Sequence, residues 1–264
     1  MKVKVRGLEM AYEDTGGARM PLLLIHGFPL DRTLWAAQTR ALADVARVIA
    51  PDLRGCGESA LPGGAVTMDT YADDLRGLLD ALGIQRAVIG GLSMGGYVAF
   101  AFYRRHAQRV RALILVDTRA TPDSPAARQG RDDNAARARN QGVAALAEQM
   151  LPKMLTLQTL AARPAIADTA RALMARQPVA GVIAALMAMR DRPDSTPTLA
   201  EIAAPTLIVV GAEDTLTTPQ DAEQMRAAIR GARLATLAGA AHLANSEQPD
   251  AFNQVVREFL QSIA

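Results

Sequence analysis

The chain has 264 residues and a mass of 28.0 kDa, half of them hydrophobic, a size that fits one large domain or one domain with an insertion. A formal net charge of +2, with no basic stripe interleaved with aromatics, argues against a nucleic-acid partner, and no apolar run reaches the length of about eighteen residues needed to span a bilayer. The single cysteine, Cys56, excludes an intrachain disulfide and a cysteine-based metal site, and no signal-peptide core follows Met1, so the expected location is the cytoplasm.

Residues 2–6 and 9–13 read as two strands around Gly7, an antiparallel start. Residues 21–25 are a continuous apolar strand ending at His26-Gly27-Phe28-Pro29, and residues 33–44 are helical. A strand over 47–50 leads into the loop from Pro51 to Ser59, punctuated by Gly55 and Gly57. Met68, Tyr71, Leu75, Leu78, Leu79 and Leu82 fall at three- and four-residue intervals, with Thr67 as N-cap and Gly83 just past the end of that helix.

The run Ala87-Val88-Ile89-Gly90 then enters Gly91-Leu92-Ser93-Met94-Gly95, and a helical pattern from about 93 to 106 leaves it. Strand, sharp turn and helix are the parts of a nucleophile elbow. Such a turn holds its serine at positive φ, and the crossing of strand and helix leaves no room for side chains two residues to either side, which accounts for Gly91 and Gly95. It also aims the Met94 N–H at the point where an oxyanion forms.

Residues 112–116 form the next buried strand, after which residues 119–197 hold helical stretches broken at Pro152, Pro164, Pro178 and Pro193, with no convincing strand. The spacing predicts a core of residues 1–118 and 198–264 with a helical cap inserted at 119–197. The cap has no Phe, Tyr or Trp, so it is expected to offer a substrate aliphatic and thioether contacts, from Met150, Met154, Met174, Met187 and Met189, and loose selectivity for aliphatic chains. Its eleven Arg and Lys against seven Asp and Glu are better explained by solvated helix faces than by steering of an anionic substrate. Alternation resumes with a strand over 205–210 running into Gly211-Ala212-Glu213-Asp214, a helix around 219–230, a strand over 233–237 leading to His242, and an amphipathic helix after Pro249. This is the pattern of a doubly wound, mostly parallel sheet whose ligands sit beyond the carboxyl ends of its strands.

A serine hydroxyl needs an imidazole to take its proton, and the imidazole needs a carboxylate to fix its tautomer. Of the three histidines, His242 alone follows the serine on a loop at that edge of the sheet; His106 lies at the far end of the elbow helix, and His26 suits a loop-fixing role. Asp117 and Asp214 both end strands between Ser93 and His242. Asp214 is favoured, because its strand neighbours the one that delivers the histidine. The Phe28 N–H can pair with that of Met94 to hold an oxyanion. The Phe28 ring, Leu30, Trp35 and Tyr97 are candidates for an apolar wall of the substrate pocket, each with a core position as its alternative. No metal-ligand spacing, phosphate loop or dinucleotide fingerprint is present, so no metal or cofactor is expected.

The stretches 26–32, 52–55, 91–97 and 239–243 together resemble the motifs of the α/β-hydrolase family, in particular of small bacterial carboxylesterases and more distantly of 3-oxoadipate enol-lactonases. The resemblance covers essentially the whole chain and implies an α/β-hydrolase fold with a Ser93-Asp214-His242 triad. A serine at 93 argues against the dehalogenases of the family, which carry aspartate there. The expected activity is cleavage of small carboxylic esters of short to medium acyl chain through an acyl-enzyme, by a monomer or weak homodimer without nucleic-acid or membrane partners. An enol-lactonase or perhydrolase, and a ligand receptor on a hydrolase fold, are the alternatives.

Overall fold

Eight short runs rich in Val, Ile and Leu become the strands of one sheet. In the computed structural model, which describes residues 1–264, they are β1 (Lys2–Val5), β2 (Leu8–Asp14), β3 (Pro21–Ile25), β4 (Arg47–Pro51), β5 (Ala87–Leu92), β6 (Val110–Val116), β7 (Thr206–Gly211) and β8 (Arg233–Leu237). Their order is β1-β2-β4-β3-β5-β6-β7-β8, antiparallel from β1 through β2 to β4 and parallel at every other pairing. Successive side chains point to opposite faces. Leu23 and Ile25 of β3 accordingly pack into one apolar cluster and Leu22 and Leu24 into another. With both faces covered, the central strands have no polar face to display, which is why they read as unbroken apolar runs.

Helices cover the two faces. A 3-10 turn at Arg32–Trp35, capped by the Asp31 side chain, leads into α1 (Ala36–Ala41), so the helix expected over 33–44 is shorter and divided. Thr67 and Thr70 form a capping box at the start of α2 (Met68–Ala81), whose Tyr71, Leu75 and Leu78 pack on the same face of the sheet as α3 (Met94–His106). Between β6 and β7 lie six helices: α4 (Pro125–Gln141), α5 (Val143–Met154), α6 (Leu157–Ala162), α7 (Pro164–Ala175), α8 (Val179–Arg190) and α9 (Thr196–Leu199). The chain ends with α10 (Pro219–Ala228), α11 (Ala244–Glu247) and α12 (Pro249–Ser262). Phe252, Val256 and Phe259 of α12 bury against the face opposite α2 and α3.

Pro164 opens α7, Pro178 precedes α8 and Pro193 lies between α8 and α9, but Pro152 breaks nothing. It sits in the last turn of α5, where the missing N–H removes a single bond from a helix that ends two residues later. No single helix is long and apolar enough to cross a membrane.

Candidate active site

The turn after β5 holds Ser93 at φ 55° and ψ −111°, a region that strains any residue with a Cβ. A Cβ on Gly91 would collide with the Gly95 carbonyl, and one on Gly95 with the Ile25 carbonyl. The strained turn is pinned from outside: Ser93 N–H donates to the Val116 carbonyl at 2.9 Å, and Thr118 Oγ1 donates to the Ser93 carbonyl at 2.8 Å.

His242, on the loop after β8, lies 2.9 Å through Nε2 from Ser93 Oγ and 2.8 Å through Nδ1 from Asp214 Oδ2. A carboxylate only accepts, so Nδ1 carries the proton and Nε2 is left to accept from the serine. Asp214 is fixed on its other side as well. Leu216 N–H (2.7 Å) and Thr217 N–H (3.1 Å) donate to Oδ1, and Thr217 Oγ1 (2.7 Å) donates to Oδ2. Burial works to raise the Asp214 carboxyl, but His242, Thr217 and these hydrogen bonds outweigh it and hold the group below the usual carboxylate range. It is therefore anionic at neutral pH.

The other aspartate that ends a strand has different neighbours. Asp117, buried at the end of β6, accepts from Gly211 N–H at 2.8 Å and Ala244 N–H at 3.3 Å, tying together the loops that carry Asp214 and His242 without touching the imidazole. Burial, and then the nearby charge of Asp214, push its carboxyl well up. His26 accepts from Leu53 N–H at Nε2 and donates from Nδ1 to the Gly27 carbonyl, which fixes the loop after β3. His106 sits against Asp73, away from Ser93.

The N–H groups of Phe28 and Met94 have no acceptor within the protein. Beside Ser93 and His242 lies a cavity of about 180 Å³, walled by Phe28 and Tyr97 from the sheet side and by Met150, Met154 and Met189 from the inserted helices. Arg119, Arg131, Asn134, Gln149 and Lys153, with Leu216 and Thr217, complete the wall. Larger clefts lie between residues 61–69 and α8 (about 640 Å³), between α1 and α7 (about 360 Å³), beside Glu213 and Leu157 (about 370 Å³, sharing Lys153) and around Asp31 and Glu58 (about 230 Å³), and none of them is lined by Ser93 or His242.

With this geometry in view, comparison with known proteins is decisive at the level of family. The sequence model of the family described as alpha/beta hydrolase fold matches residues 20–249. The chain belongs to that family. Over all of its length this hydrolase superposes on a thermophilic esterase from Thermogutta terrifontis, at 44% identity and a TM-score of 0.96 with 99% of that chain covered. An enol-lactonase from Burkholderia xenovorans is 33% identical, with a TM-score of 0.92 over 99% of this chain and 100% of its own. In sequence, 3-oxoadipate enol-lactonase 2 of Acinetobacter baylyi is 29% identical over 95% of this chain and 92% of its own.

Two residues expected at the pocket wall of the hydrolase are elsewhere. Trp35 is wholly buried between the sheet and α12, its ring centroid 6.1 Å from that of Phe252, because the 3-10 turn rolls its apolar side inward. Leu30 is equally buried in that cluster and borders the cleft between α1 and α7. Of the five methionines in the inserted helices three reach the cavity, and they share it with more polar side chains than the composition led one to expect. Thr217 had a local signal, since an aspartate followed by Thr-Leu-Thr favours a turn closed on the carboxylate. Arg119, Arg131, Asn134, Gln149 and Lys153 had none: Arg119 lies just beyond β6, and the arrival of the other four depends on how α4 and α5 fold back over the sheet.

Proposed function

We propose that the chain is a carboxylic ester hydrolase that works through an acyl-enzyme at Ser93, with the helices from Pro125 to Leu199 as a cap over the site. The observation that carries this reading is the position of His242, within hydrogen-bond reach of both Ser93 and the ionised Asp214. Ser93 Oγ attacks the acyl carbon while Nε2 of His242 takes its proton, and Asp214 stabilises the imidazolium that forms. The N–H groups of Phe28 and Met94 receive the oxyanion. His242 returns the proton to the leaving alcohol, and a water molecule repeats the sequence to release the acid.

The esterase and enol-lactonase relatives support this chemistry and leave its alcohol free or tethered. An enol-lactone is an internal ester, so the same groups would open it, and the lactonase relatives at 33% and 29% identity make this the second reading. With 4-nitrophenyl acetate the enzyme should release a burst of nitrophenol followed by steady turnover; a receptor on this fold would show next to none. Ser93→Ala should abolish covalent labelling by a fluorophosphonate while the circular dichroism spectrum is kept. Labelling that survives the substitution would move the nucleophile elsewhere. A graded panel of ester chain lengths and lactones then separates the two hydrolytic readings.

A further inference from the structure

Ester hydrolysis as described makes no use of the charge on the cavity wall. Arg119, just beyond β6, Arg131 of α4 and Lys153 at the end of α5 all line the cavity, and no carboxylate does. Three separate segments thus bring cations to one small volume, where like charges repel unless an anion compensates them.

The protein supplies part of that compensation. The Asp123 carboxylate, fully buried, accepts from Arg131 Nε at 3.0 Å and from Arg192 Nη1 at 2.6 Å, with Arg119 Nη2 at 3.8 Å. Burial opposes its charge, but Arg131 and Arg192 hold the carboxyl below its usual range. One carboxylate among three guanidiniums still leaves two positive charges unmatched. Arg192 is the most engaged: both terminal nitrogens are bonded, to Asp123 and to the Met189 and Thr121 carbonyls, its guanidinium lies 4.1 Å over the Tyr97 ring, and Nε alone is without a partner. The other cations are freer. Arg131 spends only Nε on Asp123, Arg119 Nε is buried with no partner, and Lys153 has no ion pair. A neutral alkyl chain pressed against these donors would take them out of water and give nothing in return.

We propose that Arg119, Arg131 and Lys153 recognise a carboxylate on the substrate itself, so that the ester or lactone cleaved at Ser93 is a small monoanion. This rests on the hydrolase reading of Ser93 and adds the substrate class to it. The volume agrees, since about 180 Å³ lies below the roughly 300 Å³ at which pockets for drug-sized ligands begin, and it suits a branch of a few carbons.

Two matched pairs test the proposal by pH-stat titration of the purified protein. Monoethyl glutarate is compared with ethyl glutaramate, its neutral isostere, and 3-butyryloxypropanoate with the corresponding amide. In the first pair the charge lies on the acyl branch and in the second on the alcohol branch. At low ionic strength the charged member of at least one pair should be favoured by about tenfold or more in kcat/KM, as a charge-assisted contact allows. That preference should shrink at about 1 M salt, where the screening length is roughly 3 Å. Arg131→Gln, Arg119→Gln and Lys153→Gln should each lower the ratio of charged to neutral kcat/KM; Lys153, exposed and unpaired, can be replaced without risk to the fold. The ratio compares two substrates on one protein, so partial loss of folded enzyme cancels from it. Equal or greater activity on the neutral member of both pairs overturns the proposal and leaves the hydrolase reading intact. A ratio unmoved by all three substitutions overturns the assignment of these residues. If none of the four esters turns over and the wild type takes no fluorophosphonate, the reading of Ser93 falls and this proposal with it.

Discussion

Asp117 and Asp214 end neighbouring parallel strands with the same side chain, yet their surroundings give them opposite electrostatic roles. Asp214 receives four hydrogen bonds, including the one from His242, and keeps its charge although buried. Asp117 has two backbone donors but is buried near the negative Asp214, so its carboxyl is pushed up. The consequence for catalysis is asymmetric. Asp214→Asn keeps the shape but lets the imidazole present the wrong tautomer to Ser93, and turnover of 4-nitrophenyl acetate should fall by about four orders of magnitude. Asp117→Asn should cost far less, because its side chain never meets the imidazole. Reversed effects would give the acid's role to the strand before the inserted helices. Sequence alone places both aspartates at strand ends at the correct edge of the sheet. It separates them only through the order of strands, because the distinguishing contacts come from Thr217 and His242, three and twenty-eight residues away.

Elements were legible in proportion to how local their causes are. The central strands announce themselves because both faces are buried, and α2 because its stripe, capping threonine and terminal glycine all lie within the segment. The inward roll of Trp35 is not local, since its partner Phe252 lies on the last helix. Nor is the attachment of the inserted helices. At the junction of α7 and α8, Gln177 donates to Asp31 Oδ2 at 2.9 Å and accepts from Gly57 N–H at 2.8 Å, while Arg176 bonds both oxygens of Asp31 at 2.8 Å. Gln177 is buried, whereas Arg176 is half exposed. Gln177→Ala empties a buried side-chain position, leaves the part-buried Gly57 N–H without its acceptor and takes one of two donors from Asp31 Oδ2, and should cost about 2 kcal/mol, while Arg176→Ala, at a half-exposed guanidinium whose loss leaves Asp31 Oδ2 its Gln177 donor, should cost about 1 kcal/mol or less. For a domain of this size each kcal/mol lowers Tm by roughly 2–4 °C, so thermal melts resolve the two. Equal shifts would mean that burial does not govern this junction.

Over the whole molecule, the buried and paired ionisable groups set how stability follows pH. Asp14, Asp31, Asp73, Asp123 and Asp214 are all held below the usual carboxylate range, in each case by hydrogen bonds and cationic neighbours that outweigh burial. A depressed carboxylate contributes stability that is complete above its unfolded value of about 4 and is lost as pH falls through the lower folded value. Asp117, pushed up, has the opposite sign: its charge opposes folding at high pH, and that cost is relieved as pH falls from its raised folded value to about 4. Below about 4 only the five depressed carboxylates still differ between folded and unfolded chains, and stability is lost there. His26 adds an earlier loss. Burial lowers its imidazole against the pull of the Gly27 carbonyl and of Asp52 and Asp31, so it stays neutral in the fold while the unfolded chain takes up a proton below about pH 6.5. Denaturant midpoints should therefore fall steeply below about 4, while between about pH 6.5 and 4 the loss from His26 is set against the relief at Asp117, so that the histidine is isolated by comparing wild type with a His26 variant. Asp31 and Asp123 each anchor the inserted helices, so the steep phase should also loosen those helices from the sheet. His26→Gln should be less stable at pH 8, because the Leu53 N–H loses its imidazole acceptor, and the gap to wild type should narrow as pH falls from 6.5 to 5. If the two change in parallel over that range, the neutral, loop-fixing role of His26 is wrong.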